Sequence, residues 1–228
     1  MKFARSIFVR VSVIPLMLAA GPVASSAMQQ PEVALPATAM AARPAEAALG
    51  LPTVPSVAEI AREQLVAEAA RLDAGDYVWH PELAPAGAVE IVVSLPQQRA
   101  YIYRANTLIG VTTVSTGRPG HRTPTGRFPI MEKHRTHFSS IYDAAPMPFM
   151  QRLTMGGIAL HAGQIPNYPA SHGCVRLPYA MAQNLFGVTQ VRTVVHIVNA
   201  APTPLTALAI ARGERVPAPM EEPVRGTR

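Results

Sequence analysis

Cysteine is nearly absent: Cys174 is the only one in 228 residues, so no disulfide can form within the chain. Tryptophan also occurs once, aromatic residues make up 6% and charged residues 15%. Lys and Arg form no stripe interleaved with aromatics, which excludes a nucleic-acid-binding surface of the usual kind. No apolar run approaches the ~20 residues that a membrane-spanning helix needs. A Gly-Lys-Ser/Thr phosphate loop is missing too. The nearest segment, "TGRPGHRTPTGRF" at 116–128, lacks that ending and holds two prolines, so it reads as a turn between strands.

Proline, by contrast, is plentiful, with 23 residues concentrated toward both ends. At the start, Lys2, Arg5 and Arg10 precede a short apolar run from Val11 to Ala20, and Ser25-Ser26-Ala27 offers small residues for cleavage. This is the pattern of a secretory signal peptide over residues 1–27. No cysteine stands near that site, so a lipoprotein anchor is excluded, and no integral membrane span remains after cleavage. The formal charge of +6 then falls to +3, since three cations and no anions leave with the signal. A mildly cationic exported chain suits an anionic wall without requiring one.

Residues 28–88 read as an Ala/Pro-rich linker followed by one amphipathic helix. Ser56 and Glu59 form a capping-box pattern, Val57, Ala61, Leu65, Ala69 and Leu72 recur at helical spacing, and Gly75 is placed to end the helix. Strands are predicted at 89–95, 99–104, 107–115, 126–133, 153–161 and 191–198, from runs of β-branched and aromatic residues between turns. A helix is predicted from Pro178 to Gly187. The tail, 200–228, is expected to hold a short helix around Leu205 to Ala211. Residues 89–199 are therefore a mainly β domain with few helices.

Cys174 lies in "HAGQIPNYPASHGCVRLP", residues 161–178, with His161 and His172. A lone thiol can be a buried apolar group, half of an intermolecular disulfide, a metal ligand or a nucleophile. No ligand spacing here matches a zinc pattern. An idle thiol outside the cytoplasm is exposed to oxidation. A nucleophilic thiol needs a base, and either histidine qualifies. Gly173 lets the backbone bend, and amides at such a bend can face a developing oxyanion. His134 and His137 are a second histidine pair, read as loop residues, and Met147 between two prolines reads as a rigid turn or a cleft wall.

"SHGCVR", with "LH" upstream at a strand end, resembles the signature of the L,D-transpeptidases, the cysteine enzymes that cross-link bacterial peptidoglycan. "VEIVVSLPQQRAYIYR", "VSTGRPGHRTPTGRFPI", "APMPFM" and "GIALHAG" are similar to that family in the same order, across about 89–199. The resemblance implies a β-sandwich or barrel catalytic domain, with Cys174 as nucleophile and His161 as general base. It implies that the carbonyl of Ala162 orients the imidazole, that His172 and Gly173 shape the oxyanion site, and that Ser171 and Arg176 lie on the substrate side. Tyr142 sits roughly where some members place a tyrosine. Two departures stand out: the interval from His161 to Ser171 is short, and Arg176 replaces an Asn common at that position.

The activity so implied is transpeptidation in cell wall biogenesis, outside the cytoplasm and without a cofactor or metal. A tetrapeptide stem acylates the cysteine, terminal D-alanine leaves, and an amine of a second stem resolves the thioester as a 3–3 cross-link. A lipoprotein lysine or a free D-amino acid would also serve as acceptor. The alternatives are an L,D-carboxypeptidase or endopeptidase sharing the acyl-enzyme, and a non-catalytic wall-binding module.

Overall fold

The computed structural model describes residues 56–216, so the signal peptide, most of the linker and the end of the tail lie outside the described residues. Helix α1 (Val57–Ala69) begins with the expected capping box: Ser56 Oγ accepts from the Glu59 amide and the Glu59 carboxylate accepts from the Ser56 amide. It ends earlier than Gly75 suggested. Arg99 donates to the carbonyls of Ala69 and Leu72, and these bonds satisfy the open end of the helix. Gly75 instead occupies a later turn at φ +95°. Val57, at the start of the predicted apolar face, is exposed, while Leu65 and Ala69 are buried.

Ten strands follow: β1 (Tyr77–Trp79), β2 (Val89–Ser94), β3 (Arg99–Arg104), β4 (Thr107–Thr113), β5 (Gly126–Pro129), β6 (Glu132–His134), β7 (Met150–Arg152), β8 (Ala159–Ala162), β9 (Val175–Leu177) and β10 (Val194–Val198). They form a six-stranded sheet in the order β1-β4-β3-β2-β10-β5 and a four-stranded sheet in the order β6-β7-β8-β9. The β2-β10 and β8-β9 pairs are parallel, and the other pairs are antiparallel. Ala105 and Asn106 close the β3-β4 hairpin with both φ angles positive, as a two-residue turn matched to strand twist requires.

Two predicted strands are corrected. The run 126–133 is split, because Ile130 and Met131 carry the chain from one sheet to the other. Ile130 bonds Arg192 and Thr193 beside β10, and the Met131 amide donates to Arg152 of β7. The run 153–161 is also broken: Leu153 to Gly157 is a turn, closed by the Leu153 amide on the Ile158 carbonyl, with strands on either side.

Ile91, Ile102, Leu160, Leu177 and Val195 from both sheets share one core with Met181 and Leu185 of helix α2 (Tyr179–Val188). Pro178 precedes α2 as expected, but Gly187 lies inside the helix instead of closing it. Thr189 is the cap, its hydroxyl donating to the Leu185 carbonyl. A second apolar cluster on the outer face of the large sheet joins Val92, Tyr101, Tyr103 and Val111 to α1 and α3 (Ala207–Arg212). Tyr101 and Tyr103 donate to the carbonyls of Pro202 and Pro204, strapping the chain after β10 across that face.

Candidate active site

The parallel β8-β9 pair assembles the site. His161 of β8 stands opposite Arg176 of β9, and Cys174 immediately precedes β9. Registered residues on neighbouring strands share a face, as do residues two apart, so His161, Arg176 and Cys174 project together. They line one open cleft of about 380 Å³. His172, Ser171, Ala162 and Tyr142 line it as well, so every candidate except Gly173 borders the same space. Gly173 is buried behind it.

The thiol is half-buried against Met147, Met150 and Ala159, and it directs Sγ toward the Gly157 carbonyl at 3.7 Å. Burial raises the Cys174 pKa; an Ala159 backbone bond and the Arg176 cation oppose that rise only in part. His161 is 8% exposed. Burial lowers its pKa, against the Ala162 bond, and the Arg176 and His137 charges lower it further. Thiol and imidazole are therefore both held neutral at rest. Nδ1 of His161 lies 2.8 Å from the Ala162 carbonyl oxygen. A carbonyl only accepts, so Nδ1 carries the hydrogen and Nε2 the lone pair.

The loop before β9 is fixed by Ser171, whose hydroxyl donates to the Cys174 carbonyl at 2.5 Å and accepts from the Gly173 amide at 3.0 Å. The Gly173 amide is thus committed to Ser171, and the amides of His172 and Cys174 have no partner among the described residues. At φ +119° Gly173 holds a conformation that L side chains rarely adopt. A Cβ there would stand 2.6 Å from Ile158 Cδ1. The Arg176 guanidinium has neither a hydrogen bond nor a carboxylate partner among the described residues, and its stem lies over Gly163. No Asp or Glu lines the cleft, while His137, Arg152, His161, His172 and Arg176 all do. Of the cations, Arg152 is held by Glu132 at 2.6 Å.

His134 and His137 stack with ring centroids 5.8 Å apart; only His137 reaches the cleft, and His134 faces Glu132 at 3.8 Å. Among the described residues no group of three or more His, Cys, Asp and Glu is arranged to hold a metal. Met147 is a cleft wall. Sequence reasoning missed the contacts to His172 from Arg118 and His121, which come from a segment read only as a turn. The two contacting residues lie some fifty positions before it in the chain, where no local pattern signals the approach.

The L,D-transpeptidase catalytic domain family (YkuD) matches residues 88–197. No match is found among curated proteins. Among solved structures, an L,D-transpeptidase from Stackebrandtia nassauensis is 23% identical, covering 65% of this chain and 69% of its own, with a TM-score of 0.47. Residues 123–326 of the L,D-transpeptidase from Xylanimonas cellulosilytica are 25% identical over 50% of this chain and 61% of that one, at a TM-score of 0.45. L,D-transpeptidase 3 from Mycobacterium tuberculosis, in complex with a faropenem-derived adduct, is 22% identical over 49% and 60%, at a TM-score of 0.45. The match to the L,D-transpeptidase from Mycobacterium smegmatis spans 59% of that protein's length. Across residues 88–197, just under half of its length, the chain is thus similar to the L,D-transpeptidase catalytic domain.

Proposed function

We propose that the protein is an exported peptidoglycan L,D-transpeptidase in which Cys174 is the nucleophile and His161 the base. The observation that carries this reading is the shared cleft, in which the one thiol and an imidazole with Nδ1 fixed on Ala162 project from adjacent strands. Cys174 Sγ bonds to the carbonyl carbon of the third residue of a tetrapeptide stem as His161 Nε2 takes the thiol proton. The oxyanion is met by the unpartnered amide of Cys174, in a loop shaped by Ser171, His172 and Gly173. The C–N bond then breaks, the departing D-alanine amine takes the proton from His161, and a thioester remains. An acceptor amine attacks that thioester, passes a proton to His161, and the thiolate leaves and is reprotonated.

Arg176, free of internal partners, holds a carboxylate of the donor stem in a bidentate clamp. Tyr142 forms part of the wall against which the stem lies. The chemistry balances with thiol and imidazole alone. Residues 1–27 act as a cleaved export signal and the Ala/Pro-rich stretch after it as a linker, whereas the end of 28–88 and the start of 200–228 belong to the folded domain: β1 pairs with β4, and α3 packs on the outer face of the large sheet. The enzyme works on the cell wall, in the periplasm or secreted, with a stem amine, a lipoprotein lysine or a D-amino acid as acceptor. Incubating the purified enzyme with tetrapeptide muropeptides and analysing the products by mass spectrometry tests this. New 3–3 dimers that disappear with Cys174→Ala support it. Tripeptides without dimers assign a hydrolase, and an unchanged muropeptide profile refutes both.

A further inference from the structure

Arg118 lies 54 positions before the nucleophile loop, yet its Nη2 meets Nε2 of His172 at 2.8 Å. A guanidinium only donates, so Nε2 carries the lone pair and Nδ1 the hydrogen. Two rings bracket the same imidazole. Tyr142 stacks on it with centroids 4.4 Å apart, and His121 meets it edge-on at 4.8 Å.

The segment that carries Arg118 is bonded to the loop through its backbone. The Arg118 amide donates to the Ser171 carbonyl and the Ser171 amide to the Thr116 carbonyl, both at 3.0 Å. The Thr123 hydroxyl donates to the Gly173 carbonyl at 2.8 Å. Gly117 permits this approach, since a Cβ there would stand 1.9 Å from the His121 carbonyl oxygen. Arg118 is therefore exposed but carried on a fixed base.

A proton added at His172 Nε2 would displace the Arg118 bond and place two cations in contact. The remaining charged groups that act on the ring are His121 from the same segment and Arg176 from β9. Tyr142 brings no charge, and the neighbouring Asp143 is exposed and does not line the cleft. Every formal charge facing His172 is thus positive or becomes so on protonation. His161 has the opposite arrangement, with Nδ1–H on a carbonyl and Nε2 uncommitted.

We propose that Arg118 is a positioning residue that withdraws His172 from proton transfer and fixes it as the post for Tyr142, leaving His161 as the base. This rests on the reading of Cys174 as the acylated group. The lowered pKa of His172, set by partial desolvation and then by Arg118, His121 and Arg176, agrees with it.

The test uses the full chain with Arg118→Gln and Arg118→Lys. Ring ¹⁵N shifts report the His172 tautomer, and intact-protein mass spectrometry follows carbapenem acylation of Cys174 against pH. The wild type should show the Nδ1–H tautomer. In Arg118→Gln the His172 titration should move up toward an ordinary imidazole, because a like charge and a bond to the neutral form are both lost. Acylation should then fall roughly 3–10-fold at pH 6 while staying within about twofold at pH 8. Arg118→Lys should return the titration toward the wild-type position. An Nε2–H tautomer in the wild type, or an unmoved titration in Arg118→Gln, overturns the proposal. If wild-type Cys174 is not acylated at all, the functional reading fails while the tautomer and titration still decide the role of Arg118.

Discussion

Removing the Ser171 hydroxyl tests whether the nucleophile loop is held by one buried atom. Ser171 is 1% exposed, and its Oγ is bonded on both sides, to the Cys174 carbonyl and from the Gly173 amide. Ser171→Ala leaves the Gly173 amide without its acceptor and the Cys174 carbonyl without its donor, at a residue that is all but fully buried. An unsatisfied buried group costs about 1–3 kcal/mol, so the pair should cost roughly 2–4 kcal/mol after partial relaxation. At this chain length each kcal/mol lowers Tm by about 2–4 °C, which gives an expected drop of roughly 5–15 °C. Ser171→Thr keeps the hydroxyl and should recover most of that loss. The functional consequence is separate from stability. With both bonds gone, Gly173 is free to turn and the Cys174 amide no longer faces a fixed point, so acylation should slow about 10–100-fold at a temperature where the variant is folded. Thermal unfolding by circular dichroism and carbapenem acylation by intact mass supply the two readouts. A Ser171→Ala protein with unchanged Tm and unchanged acylation would refute the reasoning, because neither bond would then matter.

Four further outcomes are expected. Burial places the His161 pKa below the ordinary imidazole value of about 6.5 and the Cys174 pKa above the ordinary thiol value of about 8.5. Acylation by substrate should therefore be flat around neutrality and fall only below about pH 6.5, whereas iodoacetamide alkylation of the resting thiol should stay slow until about pH 9; fast alkylation at pH 7 would reveal a thiolate–imidazolium pair instead. The His161 shift also stabilises the fold above about pH 6.5, and that contribution is lost as pH falls through the depressed folded value, which denaturant unfolding across pH will show. Arg176→Lys should cost about 1–2 kcal/mol in kcat/KM with a stem peptide and little with a carbapenem lacking the matching carboxylate, and equal losses with a lowered Tm would remove the clamp. Lys133→Met should destabilise by about 1–3 kcal/mol without altering Cys174 acylation, since Lys133 Nζ donates to the carbonyls of Phe186 and Thr189 at 2.7 and 2.6 Å.

What the sequence made legible was local. The β2-β3-β4 meander follows from β-branched runs with short turns between them, and α1 follows from its capping box. The Cys-His motif is legible for the same reason, since Ser171, His172, Gly173 and Cys174 are consecutive. What escaped depends on distant partners. The three-residue strand β1 exists because Tyr77 to Trp79 can pair with β4, and no periodicity of its own marks it. The run 126–133 looks like one strand, but its two halves belong to different sheets. Gly187 reads as a helix end, yet the distant Lys133 ammonium on the Phe186 and Thr189 carbonyls, with the local Thr189 cap on Leu185, carries the helix past it. Around the site, the closing of Tyr142, His121 and Arg118 on His172 joins three segments that carry no common pattern.

The sheet geometry explains how so short a loop can serve the site. Cys174 precedes by two residues the position that faces His161, so their Cα atoms are offset by one strand spacing and two residues of rise, roughly 8 Å. A Cys and a His side chain on one face reach across that gap without help from the connecting loop. The segment from Gly163 to Ala170 can thus be short without displacing either group, provided the strands stay registered. That register is held on both sides of Arg176: β8 pairs along one edge, and Ser115 exchanges two backbone bonds along the other, at 3.0 and 3.1 Å. Arg176 therefore has its backbone fixed and its guanidinium free. This combination suits a side chain that must present a rigid fork to a ligand, and an arginine tying elements together would show the reverse. The short loop and the Arg at this position are then compatible with an intact centre, because strand register sets the distance between the reacting groups.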